Sequence, residues 1–309
     1  MSSSHIPCLS MPPLPLMFRY LLYLLVPFLV LIAAATLACV AGYWLWLAAD
    51  QAWPLEKVIS KLGKLLLVLS IVPLMHGLGL KAADLGFAVR RTMLRQFGQG
   101  LALGLLSLLP VMVVLYLAGV HIVDASRIWT WDWLLGKLVG GFLLALLISL
   151  AEEPIFRGIL FSGLQSRINT VVAVLASSFY YGILHFLDSQ STLSGDDIHP
   201  LSGFMLMQEA FANLLNPEIT TALIALICVG LFLGVIRATV PGSLALCIGC
   251  HTGWVWQIKF SKSLFDVDPA SSYLFLVSHY DGVVGPLVSV WMVMAITTYL
   301  LYRRWANRI

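Results

Sequence analysis

The chain has 309 residues, of which 60% are hydrophobic and only 11% are charged. A soluble domain carries about 25% charged residues, so this composition excludes an ordinary soluble enzyme. The formal net charge of +3 gives no sign of a nucleic-acid-binding surface. The composition predicts an all-α integral membrane protein whose surroundings are membrane lipid, with no nucleic-acid partner.

Apolar runs long enough to cross a bilayer recur through almost the whole chain. A membrane-spanning helix needs about 20 mostly apolar residues. Residues 1–18 are rich in Pro and Ser and predict a disordered tail, and residues 19–309 predict a single membrane domain. The predicted bundle has eight spans, at residues 19–48, 58–80, 99–120, 134–163, 171–189, 217–237, 242–260 and 284–302.

The loops between these spans alternate in charge. Basic residues follow the second, fourth, sixth and eighth spans, and acidic residues follow the first, third and fifth. Because Lys and Arg accumulate on the cytoplasmic side, we predict that both termini are cytoplasmic. We separately expect the protein to lie in a bacterial plasma membrane. Some lysines run against the rule: Lys57, Lys61, Lys64, Lys259 and Lys262.

The longest connection, residues 188–216, contains the segment LSGFMLMQEAFANLL. Its apolar residues recur at helical spacing, and Gln208 and Glu209 lie on another face. This pattern predicts an amphipathic helix at the membrane surface. The helix is either a surface anchor or a cover over a site.

Two adjacent carboxylates, Glu152 and Glu153, interrupt the fourth apolar run. An ionised carboxylate at the bilayer centre costs about 2.5–3.5 kcal/mol on insertion scales, so the pair indicates a functional site. Arg157 lies four residues after Glu153, which is the favourable spacing for an ion pair along one helix face. Glu152 points about 100° away from that face. We therefore predict a structural Glu153–Arg157 pair and a different partner for Glu152.

His185 on the fifth span is the nearest candidate partner. Ile168 lies in the polar turn between them, 16 residues after Glu152 and 17 residues before His185. At about 1.5 Å per residue, two helical arms place both side chains some 24–26 Å from the turn. An antiparallel hairpin therefore sets the acid and the imidazole at one depth in the bilayer.

A third polar group, His251, interrupts the seventh span. Gly249 and Gly253 flank it in a G-x-x-x-G spacing, which permits close approach of a neighbouring helix. A glutamate and two histidines on three spans can position a water, accept a proton and polarise a carbonyl. Those are the groups that amide hydrolysis needs.

Three motifs now stand in chain order: Glu-Glu-x-x-x-Arg (152–157), an aromatic residue followed by x-x-x-His (181–185), and Gly-Ser-Leu followed by His (242–251). Together they resemble the CPBP family, the CAAX-processing and bacteriocin-processing intramembrane proteases that are also called the ABI family. The resemblance covers roughly residues 134–260, the catalytic half of such a protein.

The resemblance implies an eight-helix endopeptidase that depends on a glutamate and uses no metal. By analogy, Glu152 and His185 activate the attacking water, and His251 helps to stabilise the oxyanion. Glu153 and Arg157 are supporting residues. The implied substrate is a membrane-associated peptide or a lipidated protein.

The sequence departs from the family pattern at two positions. Tyr181 stands where the second motif normally has Phe. Val255 stands where the third motif normally has an Asn, so one oxyanion donor is missing. Trp254 or Gln257 could supply the missing N–H. Losing one such donor costs roughly 10²–10³ in rate.

Other interpretations of the same residues stay open. Glu152, His185 and His251 could present three ligands to zinc, with a fourth position open for water. Buried charges also serve transporters. Val255 keeps open a non-catalytic membrane scaffold or immunity protein.

Overall fold

A computed structural model of the chain describes residues 16–127, 129–193 and 198–307. Most of the predicted tail lies outside the described residues, and residues 16–18 begin a helix instead of belonging to the tail. Asp196 and Asp197 of the acidic fifth loop, and Arg308 after the last span, also lie outside them.

The described residues form a helical bundle with one short β-ribbon. The first half contains α1 (Leu16–Ala48), α2 (Leu55–Leu69), α3 (Ile71–Leu78), α4 (Arg90–Leu117), β1 (His121–Val123) and α5 (Trp131–Glu153). A π-helical segment (Pro154–Leu160) then leads into α6 (Phe161–Arg167), α7 (Thr170–Leu184) and α8 (Ser202–Asn213). A 3₁₀ turn (Pro217–Ile219), α9 (Thr220–Thr239), α10 (Leu244–Leu264), β2 (Phe265–Val267), a second 3₁₀ turn (Leu274–Leu276) and α11 (Pro286–Ala306) complete the fold.

The predicted fold class, a helical membrane bundle, is confirmed. Among the described residues six segments are long and apolar enough to cross a membrane: Met17–Ala48, Leu55–Leu78, Arg90–Leu117, Trp131–Arg167, Pro217–Thr239 and Pro286–Ala306. The fifth and seventh predicted spans correspond to α7 and α10, which are not among the six. The 15 residues of α7 reach only about 22 Å, and α10 carries several polar residues.

Helix α10 lies at the centre of the bundle and crosses α4 at very close range. Glycines line both sides of the crossing: Gly100 and Gly104 on α4, and Gly249 and Gly253 on α10. A Cβ added at Gly249 would lie 2.2 Å from the carbonyl oxygen of Phe97. The close approach predicted from the G-x-x-x-G spacing is confirmed, and it fixes the position of His251 between these glycines.

The predicted hairpin is formed by α5, the π-helical segment, α6 and α7. Helix α6 ends at Arg167, and Asn169 caps α7 by accepting a hydrogen bond from the backbone N–H of Val172 at 2.9 Å. Pro154 opens the π-helical segment, and such segments are frequent at functional sites. Helix α7 ends at Leu184, five residues before the predicted end of the span, so His185 lies at its C-terminus.

The amphipathic segment of the long connection forms α8, as its pattern predicts. Helix α8 packs on α1, where the Cys39 thiol donates to the carbonyl oxygen of Gly203 at 3.0 Å. Leu206, Met207 and Phe211 of α8 face a cavity inside the bundle. The helix therefore covers that cavity, and its position at the membrane surface stays a prediction.

Candidate active site

Glu152, His185 and His251 meet at one point between α5, α7 and α10. The Nε2 atom of His185 lies 3.8 Å from Oε2 of Glu152, and the Nε2 atom of His251 lies 3.9 Å from the same oxygen. The exposed side-chain fractions are 30% for Glu152, 21% for His185 and 3% for His251. The acid and the first imidazole are therefore accessible, and the second imidazole is buried behind them.

The His185 ring is fixed by a backbone carbonyl. Its Nδ1 atom lies 2.7 Å from the carbonyl oxygen of Tyr181, one helical turn earlier. A carbonyl oxygen can only accept, so Nδ1 carries the proton and the neutral ring presents a lone pair at Nε2. The Tyr181 ring also packs 4.5 Å from the His185 ring. This arrangement directs the basic nitrogen of His185 towards Glu152.

The His251 ring is fixed by the second acid of the pair. Its Nδ1 atom lies 2.9 Å from Oε1 of Glu153, and the ionised carboxylate accepts the Nδ1 proton. The Nε2 atom of His251 is then turned towards Glu152. The sequence assigned Glu153 only to Arg157, and spacing gave no signal for this contact across 98 residues.

Glu153 and Arg157 form the predicted ion pair, with 3.4 Å between Oε1 and the guanidinium. Both side chains are fully buried. Arg157 also donates to the carbonyl oxygen of Gly230 at 3.1 Å and lies 4.5 Å from the centre of the Tyr181 ring. The pair links α5 and the π-helical segment to α7 and α9, and Glu153 also contacts His251.

A cavity of about 780 Å³ opens beside Glu152 and His185. Its wall is formed by α1, α2, α5, the π-helical segment, the segment after α7, α8, the first 3₁₀ turn and the loop before α11, and much of it is apolar. Typical ligand pockets measure about 300–1,000 Å³, so the cavity has room for a short peptide segment. His279, to which the sequence assigned no role, lies on the same wall.

Helix α8 holds the chain segment that follows His185. The carboxylate of Glu209 accepts hydrogen bonds from the Ser189 hydroxyl at 2.6 Å and from the backbone N–H groups of Gln190 and Ser191, each at 3.1 Å. These bonds, first of all the one from Ser189, hold the pKa of Glu209 below its usual value of 4.5. The tether is therefore fully present at neutral pH and is lost only as the pH falls through that lowered pKa.

The two donors suggested as replacements for the missing Asn are engaged elsewhere. The indole N–H of Trp254 donates to the Ser107 hydroxyl at 2.9 Å. The Gln257 amide donates to the carbonyl oxygens of Gly104 and Leu105 on α4. Both side chains bind α10 to α4, so the arrangement offers neither of them to the cavity.

Zinc was the alternative cofactor for Glu152, His185 and His251. Across the parts of the chain that the structure describes, no group of three or more His, Cys, Asp or Glu side chains is arranged to hold a metal ion. The donor set nevertheless contains ordinary zinc ligands. Chelation of the active protein is therefore the decisive test.

A comparison with protein families matches residues 133–257 to the family described as type II CAAX prenyl endopeptidase, Rce1-like. No curated protein and no solved structure matches the chain. The matched segment nearly coincides with residues 134–260, and over this segment the resemblance predicted from the three motifs is confirmed.

Proposed function

The chain carries a domain of the Rce1-like type II CAAX prenyl endopeptidase family, and from that premise we propose that it is an intramembrane endopeptidase whose nucleophile is a water activated by Glu152. One observation carries the proposal. Two imidazole Nε2 atoms, each fixed through its Nδ1 atom, converge on one carboxylate oxygen within 3.8–3.9 Å. That oxygen has no hydrogen-bond partner among the described residues.

The separations favour a bound water between these groups. A direct N–H···O hydrogen bond measures about 2.7–3.2 Å, and polar groups more than about 3.5 Å apart are commonly bridged by water. A water held by Glu152 and His185 would lie at the wall of the cavity, where a peptide carbonyl can reach it.

In the proposed reaction the water oxygen attacks the carbonyl carbon while Glu152 takes the water proton. His251 donates from Nε2 to the developing oxyanion, and this donation requires a ring protonated on both nitrogens. Glu153, bound to Nδ1, supplies the counter-charge for that form. The C–N bond then breaks, and the proton moves from Glu152, directly or through His185, to the leaving amine.

The charges around the site fit this scheme. Glu152 and Glu153 contribute two negative charges, and Arg157 contributes one positive charge. One protonated imidazole therefore balances the cluster. A proton can move between the acid and the histidines without leaving a net charge inside the bundle, where such a charge is costly.

The proposed substrate is a membrane-associated peptide with apolar residues around the cleaved bond, such as a prenylated CAAX segment of the kind that the family description indicates. The largely apolar cavity wall supports this class of substrate. A non-catalytic scaffold is the alternative that Val255 keeps open, since the sequence lacks the usual oxyanion Asn at that position.

The test is hydrolysis of farnesylated peptides that end in Cys-aliphatic-aliphatic-X by the purified protein in proteoliposomes. We expect one cleavage, detected by mass spectrometry as two fragments that together account for the substrate and one water. We also expect the activity to survive 1,10-phenanthroline, since the proposed base is a carboxylate. Loss of activity that zinc restores would contradict the metal-free mechanism, and absence of cleavage across the peptide set would favour the scaffold.

A further inference from the structure

Helix α2 presents a polar stripe to the cavity. Glu56, Ser60 and Lys64 recur every four residues along α2, and all three line the cavity wall. Four residues correspond to about 6 Å of helix, so the stripe extends about 12 Å along the wall. Lys57 and Lys61 belong to the same helix but do not line the cavity. The sequence identified Lys64 only as an exception to the charge rule for loops.

Among the described residues that line this wall, Lys64 is the single Lys or Arg. Within the described ranges no carboxylate lies within 4.0 Å of its ammonium group, since the ion pairs found there do not include it. A cation near the centre of a membrane-spanning helix costs about 2.5–3.5 kcal/mol on insertion scales, so such residues usually serve a ligand or an ion path.

Apart from Lys64, the Asp, Glu, Lys and Arg residues on the described part of this wall are all acidic. Glu56, Glu152, Asp188 and Glu218 all line the same cavity as Lys64. An anionic group that enters the cavity is repelled by these carboxylates and attracted by the ammonium group of Lys64. A bound peptide that carries a carboxylate therefore has one favourable direction along the wall.

We propose that Lys64 binds the C-terminal carboxylate of the peptide substrate. This contact would set the direction in which the peptide lies past Glu152. This inference rests on the proposed endopeptidase function. It adds a specificity-determining residue on α2, outside the segment that matches the family.

Binding can be measured apart from cleavage in a Glu152→Gln background. The probes are fluorescent farnesylated peptides of one sequence with either a free C-terminal acid or a C-terminal amide, and the readout is fluorescence anisotropy in nanodiscs. A charge-assisted hydrogen bond to the free acid predicts binding about 10- to 100-fold tighter than to the amide. Lys64→Met should remove this preference by weakening binding of the acid alone, and Lys64→Arg should restore most of it.

Lys61→Met is the matched control, because it removes the same charge one turn away on a face outside the cavity. We expect it to keep the preference for the acid. A third peptide has a C-terminal amide and one Asp near its C-terminus. It distinguishes binding of the C-terminal carboxylate from binding of a side-chain carboxylate. A Lys64-dependent gain with this peptide would still support carboxylate binding and would assign the contact to a side chain.

Three outcomes would overturn the inference. The Lys64→Met variant could keep the preference for the acid peptide, or its affinity for the acid and amide peptides could fall equally. The Glu152→Gln protein with Lys64 intact could also show no preference between the two peptides. If the protein with Glu152 intact still cleaves the peptides, the proposed endopeptidase function survives any of these outcomes. A Lys64→Met protein that fails to elute as a folded peak is replaced by Lys64→Gln, which is judged by the same criteria.

Discussion

Glu152→Gln is expected to lower kcat by about 10²–10⁴-fold, the usual contribution of a positioned general base. Glutamine keeps the size and one acceptor oxygen of the side chain but cannot take the water proton. KM should change little, because the cavity wall that contacts the substrate is preserved. The measurement is single-turnover hydrolysis of a farnesylated peptide by the purified variant.

Glu218→Gln is the matched control for this experiment. It removes the same charge from the wall of the same cavity, and Glu218 takes no part in the contacts between Glu152 and the histidines. We expect kcat to stay close to that of the parent. An unchanged kcat in Glu152→Gln, or an equal loss in both variants, would contradict the assignment of the base.

Arg157→Met is expected to lower the free energy of unfolding by about 3–5 kcal/mol, because it leaves the carboxylate of Glu153 buried without its counter-charge. Both side chains of this pair are fully buried. Arg157 also donates a hydrogen bond to the carbonyl oxygen of Gly230 and makes a cation–π contact with the Tyr181 ring. Denaturant titration in micelles, followed by tryptophan fluorescence, measures the change.

The double variant Glu153→Gln with Arg157→Met separates loss of the ion pair from loss of packing. Removing both charges of a buried pair is often close to neutral, and the glutamine oxygen can still accept from His251. We expect the double variant to be more stable than Arg157→Met alone. Arg167→Met, at the exposed end of α6, should cost no more than about 1 kcal/mol. Equal losses in Arg157→Met and Arg167→Met would show that the buried pair has no special role.

The contact between Glu152 and His185 could be predicted because it depends on local geometry. Both residues lie on one hairpin, and the rise of a helix fixes their depth from the turn near Ile168. The Glu153–Arg157 pair could be predicted for the same reason, since four-residue spacing places two side chains on one helix face. The glycines beside His251 predicted a close helix crossing, although not that α4 is the partner.

The remaining contacts depend on tertiary packing that no spacing rule describes. Helix α10 brings His251 to Glu153, which lies 98 residues earlier in the chain. Its crossing with α4 places the Trp254 indole N–H against the Ser107 hydroxyl, to which it donates. Helix α7 ends at Leu184, which puts His185 at a helix terminus, and hydropathy gave no signal for this early end. Hydropathy also marked α7 and α10 as spans, but α7 has only 15 residues and α10 carries several polar residues.

The account depends on Glu152 and His185 acting as one unit on one water. The most direct test is the single-turnover rate of Glu152→Gln, His185→Gln and the variant that carries both substitutions. Residues that act as a unit give strongly non-additive losses, so the double variant should be about as slow as the slower single variant. A double variant whose loss equals the product of the two single losses would show that the acid and the imidazole act independently, and would contradict the account.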